Sequence, residues 1–469
     1  MFYKLSDNIF FRMFNDYGVL TDNNLFAYKY VHNNVYQLPD KCVSKSAAVM
    51  LSILTREPQN INSIIDKLIN IFNGVDYNTL RLDVIEFFDV LVEEGYLIKG
   101  KSIDTCVKRT YTHNDNKRIV VVENKKSQID EIPILRSVHI EISDRCNEKC
   151  VHCFIPSDFR SKEMTPEMFY DIVNQAREQN VINITISGGE PLIHPNIIDF
   201  LNYCRKKDLS VNLLTNLTLL TDDILEEIKM NPNCSVQVSL YSIDATVHDS
   251  ITQIKGSYSK TKNNLLKLIK EKIPVQISCP IIKENVDSFD SVILWADQHN
   301  IGVTINYEIF GSCDHSNENL RHRLSIEDVG LAFDKVSSDE YIKSIYEKAK
   351  GKCAEEDSTH VCNICRMYFC VSTEGNVFPC VGWKSRILGN INKKSLKEIW
   401  ENSSDINYLR EIRQNDFKDC TKCSDRGYCT ICMMVNANEN PEGEIFKVNP
   451  FHCQMAHLLH LKTDKYLGR

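Results

Sequence analysis

The stretch SDRCNEKCVHCFIPSD, residues 143–158, places Cys146, Cys150 and Cys153 within eight positions. Thiolates at that density select soft metals: zinc, Cu(I) or an iron–sulfur cluster. A structural zinc site wants four closed ligands, usually as two pairs separated by a longer stretch. Three thiolates in one short loop suit instead a [4Fe–4S] cluster with one iron left open. An open coordination position is where a substrate or cofactor binds.

A second cysteine field follows residue 360. In CNICRMYFCVSTEGNVFPC, Cys365, nine residues, Gly375, four residues and Cys380 predict a strand–turn–strand with EGN as the turn. CTKCSDRGYCTIC then sets Cys420, Cys423, Cys429 and Cys432 in a two-five-two spacing, and Cys453 stands apart in NPFHCQMA. A zinc ribbon wants a gap nearer about fifteen residues between pairs. Singletons such as Cys42, Cys106, Cys204, Cys234 and Cys279 read as small hydrophobes.

The chain that carries these thiols has 469 residues, 43% hydrophobic and 25% charged, a soluble globular mix long enough for several domains. Its net charge of -8 argues against nucleic acid, which needs a basic surface. No run approaches the apolar length of a membrane span, and the N-terminus lacks the basic and apolar regions of a signal peptide. The expected location is cytoplasmic. A reducing compartment disfavours disulfides, which leaves metal or redox chemistry for the clustered thiols.

The elements that must position them alternate. From 135 to 310, strand candidates SVHIEIS, VINITIS, SVNLLTN, SVQVSL, PVQISCPII and GVTINYEIF are separated by amphipathic helices such as PEMFYDIVNQAREQ and YSKTKNNLLKLIKEK. Six such units predict a parallel sheet with helices outside and chemistry at the carboxyl ends of the strands. The three thiols follow directly on SVHIEIS. At the same rim, ITISGGEPL brings Gly188, Gly189, Glu190 and Pro191, and VSLYSIDATVHDS brings Ser239 and Ser242. Paired glycines let a backbone approach a ligand closely, and a carboxylate beside them can hold an ammonium group. Asn216 ends the third strand and joins this candidate set.

Residues 1–100 predict a small α+β unit: β-prone pieces, then helices in KSAAVMLSILT, NINSIIDKLINIF and YNTLRLDVIEFFDVLVEEG, a winged-helix order. Nine Lys/Arg against twelve Asp/Glu disfavour DNA, whereas a strand edge beside a helix can capture an extended peptide. Residues 101–134 read as a linker with a possible strand, and 311–360 as a polar bridge with a helix at EYIKSIYEKAK.

Three resemblances join these parts. CNEKCVHC, with His152 before the last thiol, and GGEP resemble the radical S-adenosylmethionine superfamily over about 135–310. The fold this implies is α/β, a partial (βα)6 radical SAM barrel. The likeness implies that Cys146, Cys150 and Cys153 hold a cluster whose open iron takes S-adenosylmethionine. Reductive cleavage of the sulfonium would then give a 5′-deoxyadenosyl radical that abstracts hydrogen. Glu190 would hold the methionyl ammonium and Ser239 would lie near the ribose or carboxylate. Many relatives carry Arg at Thr252, so the carboxylate partner stays unassigned, with Lys255 as a guess.

Residues 361–469 resemble a C-terminal Cys-rich iron–sulfur (SPASM) domain, by the Cys-x9-Gly-x4-Cys motif, the four-cysteine run, the last Cys and LGNI…SLKEIW. That likeness implies two auxiliary [4Fe–4S] clusters, one on Cys362, Cys365, Cys380 and Cys432, the other on Cys420, Cys423, Cys429 and Cys453. Cys370 competes for the first, and Cys353 is idle. The x2 gap from Cys429 to Cys432 is one shorter than the family often shows. GVLTDN, VYQLPDKC and LVEEGYLI in residues 1–100 resemble a PqqD-like winged-helix leader-peptide recognition domain.

Together they imply a maturase of a ribosomally synthesised precursor peptide, served by an external electron donor such as flavodoxin or ferredoxin. Thioether crosslinking from Cys to carbon leads among the products, ahead of carbon–carbon or carbon–oxygen crosslinking and epimerisation. A sulfatase-type formylglycine maturase and a non-catalytic zinc winged-helix scaffold are the rivals. No catalytic base is named by the sequence; Tyr307, Glu308, Asp314 and His315 stand near the last strand end.

Overall fold

The computed structural model describes residues 1–28, 38–107, 133–155, 161–354 and 359–468. They fall essentially into two compact units, an N-terminal one and one from Pro133 onward.

The N-terminal unit contains β1 (Phe2–Leu5), β2 (Ile9–Met13), β3 (Tyr17–Asp22), β4 (Lys41–Ser44), α1 (Lys45–Ser52), β5 (Gln59–Asn60), α2 (Ile61–Leu68), α3 (Tyr77–Glu93) and β6 (Leu97–Gly100). Its strands form two antiparallel sheets, ordered β5-β1-β6 and β2-β3-β4. The helical periodicity lands as expected. Leu80, Val84, Phe88 and Leu91 of α3 are buried with Tyr3, Ile64 and Ile65 in one core. Asn60 caps α2 through Asn62 N, and Gly95, at φ +93°, ends α3 in the left-handed region that glycine tolerates.

Three expectations shift. The end of VYQLPDKC is the strand β4 rather than a helix entry, and Ser44 caps α1. Cys42 is exposed on β4, whereas Cys106, Cys204, Cys234 and Cys279 are buried as expected. The unit also runs past residue 100: Cys106 Sγ lies 3.6 Å from Phe2 O and 3.5 Å from Ile98 O, so the linker's first residues pack against β1 and β6. Most of FAYKYVHNNVYQL and of the linker lies outside the described residues.

The second unit opens with β7 (Ser137–Ser143), α4 (Pro166–Glu178), β8 (Asn183–Gly188), α5 (Ile197–Lys206), β9 (Ser210–Thr215) and α6 (Asp222–Met230). It continues with β10 (Cys234–Ser239), α7 (Ala245–Thr252), α8 (Ser257–Lys270), β11 (Val275–Pro280), α9 (Phe289–Gln298) and β12 (Gly302–Asn306). All six strands run parallel in sequential order. The strands from β7 to β10 are mostly buried, as their near-continuous apolar runs require, whereas β11 alternates and the last strand β12 is partly exposed. Between α4 and α5, Phe169 and Phe200 stack with centroids 4.0 Å apart, a contact worth roughly 0.5–1.5 kcal/mol beyond area burial. The short α7, begun by its Asp244 cap, was not anticipated.

Then come α10 (Ile326–Val336), α11 (Asp339–Ala354), β13 (Tyr368–Val371), β14 (Asn376–Phe378), β15 (Gly389–Asn390), α12 (Leu396–Asn402), α13 (Ser404–Glu411), α14 (Met433–Glu439) and α15 (Pro450–Leu467). The bridge thus holds α10 as well as the expected helix, and the predicted strand–turn–strand is β13–β14 with Gly375 at φ +78°. The C-terminal field is not a separate body. β13 pairs in parallel with β7, Tyr368 opposite Ser137 and Val371 opposite Ile140, which extends the sheet to nine strands. One apolar core runs through Ile140, Phe369, Trp383 and Trp400. The edge of β7 would otherwise expose unpaired backbone groups.

Candidate functional site

At its carboxyl end β7 shifts register against β8 between Glu141 and Ser143, an irregularity that re-aims the chain into the cysteine loop. The end of α7 and neighbouring strand ends clamp that loop. Lys149 N donates to Thr252 O (2.9 Å) and Val151 N to Ile251 O (3.0 Å). Gly189 N donates to Ser143 O (2.7 Å) and Glu190 N to Arg145 O (2.8 Å). Asn216 Nδ2 donates to Asn147 Oδ1 (3.0 Å), and Asn147 Nδ2 to Thr218 Oγ1 (2.7 Å).

The clamped loop faces a cavity of about 460 Å³ lined by Cys146, Cys150 and Cys153 together with Gly188, Gly189, Asn216 and Ser239. Glu190, Pro191 and Ser242 do not line it. The Glu190 carboxylate is fully buried: Oε1 accepts from Thr215 Oγ1 (2.6 Å) and Leu192 N (2.9 Å), Oε2 from Asn216 N (2.7 Å). Both oxygens therefore organise the turn and the end of β9. Ser242 Oγ accepts from Asp244 N and meets Ser288 Oγ, a local cap.

The glycines are needed for a reason other than a ligand's approach. A Cβ on Gly188, at φ +138°, would stand 2.1 Å from Ser143 O, and one on Gly189 would stand 2.4 Å from Arg145 O. Their close approach is to the cysteine loop's own backbone. Thr252 is buried with its Oγ1 2.7 Å from Ser257 Oγ, and Lys255 does not line the cavity.

Burial drives the Cys150 thiol well above its usual range, and the charges of Glu148 and Cys153 add to the rise. Burial alone is the main cause holding His152 down at about 4 and lifting Glu148 to about 8. The His152 ring meets Tyr241 edge-on, centroids 4.9 Å apart, and Tyr241 Oη lies 3.7 Å from Cys150 Sγ. A bound cation reverses this logic and deprotonates coordinating thiols.

The C-terminal thiols segregate into two groups. Burial raises Cys365 to about 12, with Cys362 and Cys380 contributing, and Cys432 to about 11, with Cys380 and Cys362 contributing. Burial likewise raises Cys429 to about 12, joined by Cys453, Cys420 and Cys423. The second group lines a cavity of about 300 Å³ with Lys352, His360 and Arg426. The interleaved sets implied by resemblance are thus neighbours in space, and soft donors in groups of three and four, from buried Cys365 to exposed Cys362, Cys423 and Cys453, fit [4Fe–4S] clusters. Cys370 is buried on β13 and feels Glu141 and Lys384 before Cys380. The Cys353 side chain lies outside the described residues. Among the described residues, no three His, Cys, Asp or Glu side chains converge on a point that would hold a single metal ion. Cubane ligands bind separate corners and need not converge so.

Sequence reasoning passed over part of the cavity. His139 and Glu141 project into it from alternate positions of β7, and His139 bonds Ser187 Oγ. Lys384 Nζ lies 3.0 Å from Glu141 Oε2. The period-two alternation of β7 was the available signal. Of the residues near the last strand end, Glu308 lines the cavity. Tyr307 is buried, His315 Nδ1 bonds Asn438 O, and Asp314 caps Ser316.

Residues 140–296 match the profile of the Radical SAM superfamily and residues 362–424 that of an iron-sulfur cluster-binding domain, SPASM. The two matches fall on the six parallel strands and on the C-terminal thiol field, and the chain is an enzyme. It is 26% identical over 321 residues to AdoMet-dependent heme synthase of Methanosarcina barkeri, covering 63% of this chain and 90% of that one. It is 26% identical over 351 residues to the subtilosin biosynthesis protein AlbA of Bacillus subtilis, covering 69% and 75%. In fold it is similar to Streptococcus suis SuiB bound to precursor peptide SuiA, with TM-score 0.59, 15% identity, and 94% and 97% of the two chains covered. No helix among the described residues is long and apolar enough to cross a membrane.

Proposed function

We propose that this chain is a radical S-adenosylmethionine maturase that abstracts hydrogen from a residue of a ribosomally synthesised precursor peptide, with a Cys-to-carbon thioether as the product. The observation that carries the reading is one cavity, at the carboxyl ends of six parallel strands, faced by Cys146, Cys150 and Cys153 across from Asn216 and Ser239. The likeness to SuiB supports a peptide substrate, because its 94% coverage extends beyond the two domain matches into the N-terminal unit. AlbA, by its name a bacteriocin biosynthesis protein, points the same way.

Cys146, Cys150 and Cys153 would hold a [4Fe–4S] cluster that, given one electron from an external donor, would cleave bound S-adenosylmethionine to methionine and a 5′-deoxyadenosyl radical able to take a substrate hydrogen. An auxiliary cluster would accept the electron left when sulfur bonds to carbon. This chain's residues do the rest. The loop from Cys146 to Cys153 would leave one corner of that cluster without a protein thiolate. The Asn216 amide and Ser239 hydroxyl offer hydrogen bonds to the cofactor's ribose or carboxylate. Tyr241, His152, Phe154 and Phe310 wall the cavity and exclude water from a reactive intermediate. The N-terminal unit would hold the leader, and the two C-terminal thiol groups would carry auxiliary clusters, one of which could ligate a peptide thiolate.

Co-expression with short peptides encoded by open reading frames next to the gene for this chain, followed by mass spectrometry, tests the proposal. A thioether removes two hydrogens from the peptide and blocks a cysteine; epimerisation changes no mass. The anaerobically reconstituted protein should carry roughly twelve irons. Release of 5′-deoxyadenosine at an undiminished rate by Cys146→Ala would end the radical reading.

A further inference from the structure

The main cavity holds carboxyl groups that the proposed chemistry does not use. Glu141, Glu148 and Glu308 line it, and among the described residues no Lys or Arg does. Two of these carboxylates hold a buried oxygen with nothing to accept from. Glu141, 1% exposed on β7, has Lys384 Nζ at 3.0 Å from Oε2, but its Oε1 has no hydrogen-bond partner. Glu308, just past β12, accepts from His452 Nε2 at 2.6 Å through Oε2, and its Oε1 is likewise buried without a partner. A buried acceptor left unpaired is costly, and more so when charged, so each is a position a donor should fill.

The surroundings say what kind of donor. His139 is held down at about 4 by burial and brings no positive charge. Ile309, Phe310, Phe154 and Val381 give the same cavity an apolar wall, with the rings of Phe154 and Phe310 5.8 Å apart. An apolar wall with carboxylates suits a long apolar stem tipped by a cation. Aromatic faces beside it favour the same guest. Glu141 lies on the first of the six sequential parallel strands, β7, and Glu308 two residues past the last, β12. A cofactor held at the thiols would meet Glu148, which stands between Cys146 and Cys150 in the chain.

We infer that Glu141 and Glu308 form a seat for a positively charged side chain, a lysine or arginine of the substrate, whose stem lies along Phe154, Ile309 and Phe310. This rests on the peptide reading above and narrows it to a peptide with a basic residue in the segment that enters the cavity. His452 positions the Glu308 carboxylate, and Lys384 positions that of Glu141.

The reconstituted full-length protein with S-adenosylmethionine bound is titrated anaerobically with acetyl-Ala-Lys-Ala-amide and with its norleucine isostere. Parallel titrations use n-butylammonium and n-butanol, and ligand-observed NMR reads binding. The lysine peptide and the amine should each bind about tenfold tighter than the neutral counterpart. Glu141→Gln and Glu308→Gln should each shrink that preference, with iron content and circular dichroism unchanged. Equal affinity for the lysine and norleucine peptides overturns the seat and leaves peptide binding standing. A Glu308-dependent preference for the amine, with neither peptide binding, keeps the seat and removes the peptide reading. A preference that survives intact in both variants overturns the inference.

Discussion

The Glu190 carboxylate accepts from three donors inside the protein, and burial, the largest cause, still lifts its pKa to about 7 against those bonds. Its ordinary value is 4.5. Between those two values the unfolded chain releases the proton while the folded chain keeps it. Stability from this group therefore falls as pH rises from about 4.5 to about 7 and is level above. Glu190→Gln should remove that slope. It should also cost about 1–3 kcal/mol at acid pH, because an amide cannot accept from Thr215, Leu192 and Asn216 together. Urea midpoints at about pH 5 and about pH 8 read both effects. The turn residues were legible as a strand-end motif. The direction of the carboxylate was not, since it depends on where the end of β9 lies beside β8.

Among the elements, the cysteine loop and the turn after β8 are one assembly. Gly188→Ala puts a Cβ against Ser143 O at a backbone angle that L residues avoid. A cost of about 1–3 kcal/mol is expected. The loop should shift with it, so that reconstituted protein loses about four irons and keeps the rest; iron analysis beside a thermal melt checks this. The clamp between α14 and the bridge is a second case. Arg323 Nη1 donates to Glu439 Oε2 at 2.9 Å, Nη2 bonds Oε1, and Asn449 Nδ2 donates to Glu439 Oε2 at 2.6 Å, with Arg323 and Glu439 both largely buried. Arg323→Ala strands a buried carboxylate and should destabilise by about 3–5 kcal/mol in denaturant titration. Strand and helix periodicity exposed nearly every element of the six βα units. Neither partner of this clamp shows a periodic signal, because the contact joins residues 116 apart in the chain.

For the whole molecule, each unit has its own core, and all eleven candidate cysteine ligands lie in the one from Pro133 onward. Stripping iron with a chelator should lower the melting transition of that unit by many degrees and leave the N-terminal transition in place. Binding free energy of structural metal is folding free energy. Scanning calorimetry before and after chelation separates the two transitions. A single shifted transition would mean that the units melt together.

What the amino-acid order determined by itself was local: the Cys-x3-Cys-x2-Cys loop, the period of each strand and helix, and the two spaced fields of thiols. These depend on neighbours within a few positions, which is the range over which backbone periodicity and loop spacing act. Tertiary structure alone decided that β13 closes the edge of β7, that Glu190 turns into the protein, and that Glu141 and Glu308 face one cavity. Those outcomes come from packing between distant segments, where the burial of one side chain is set by the surface another happens to present.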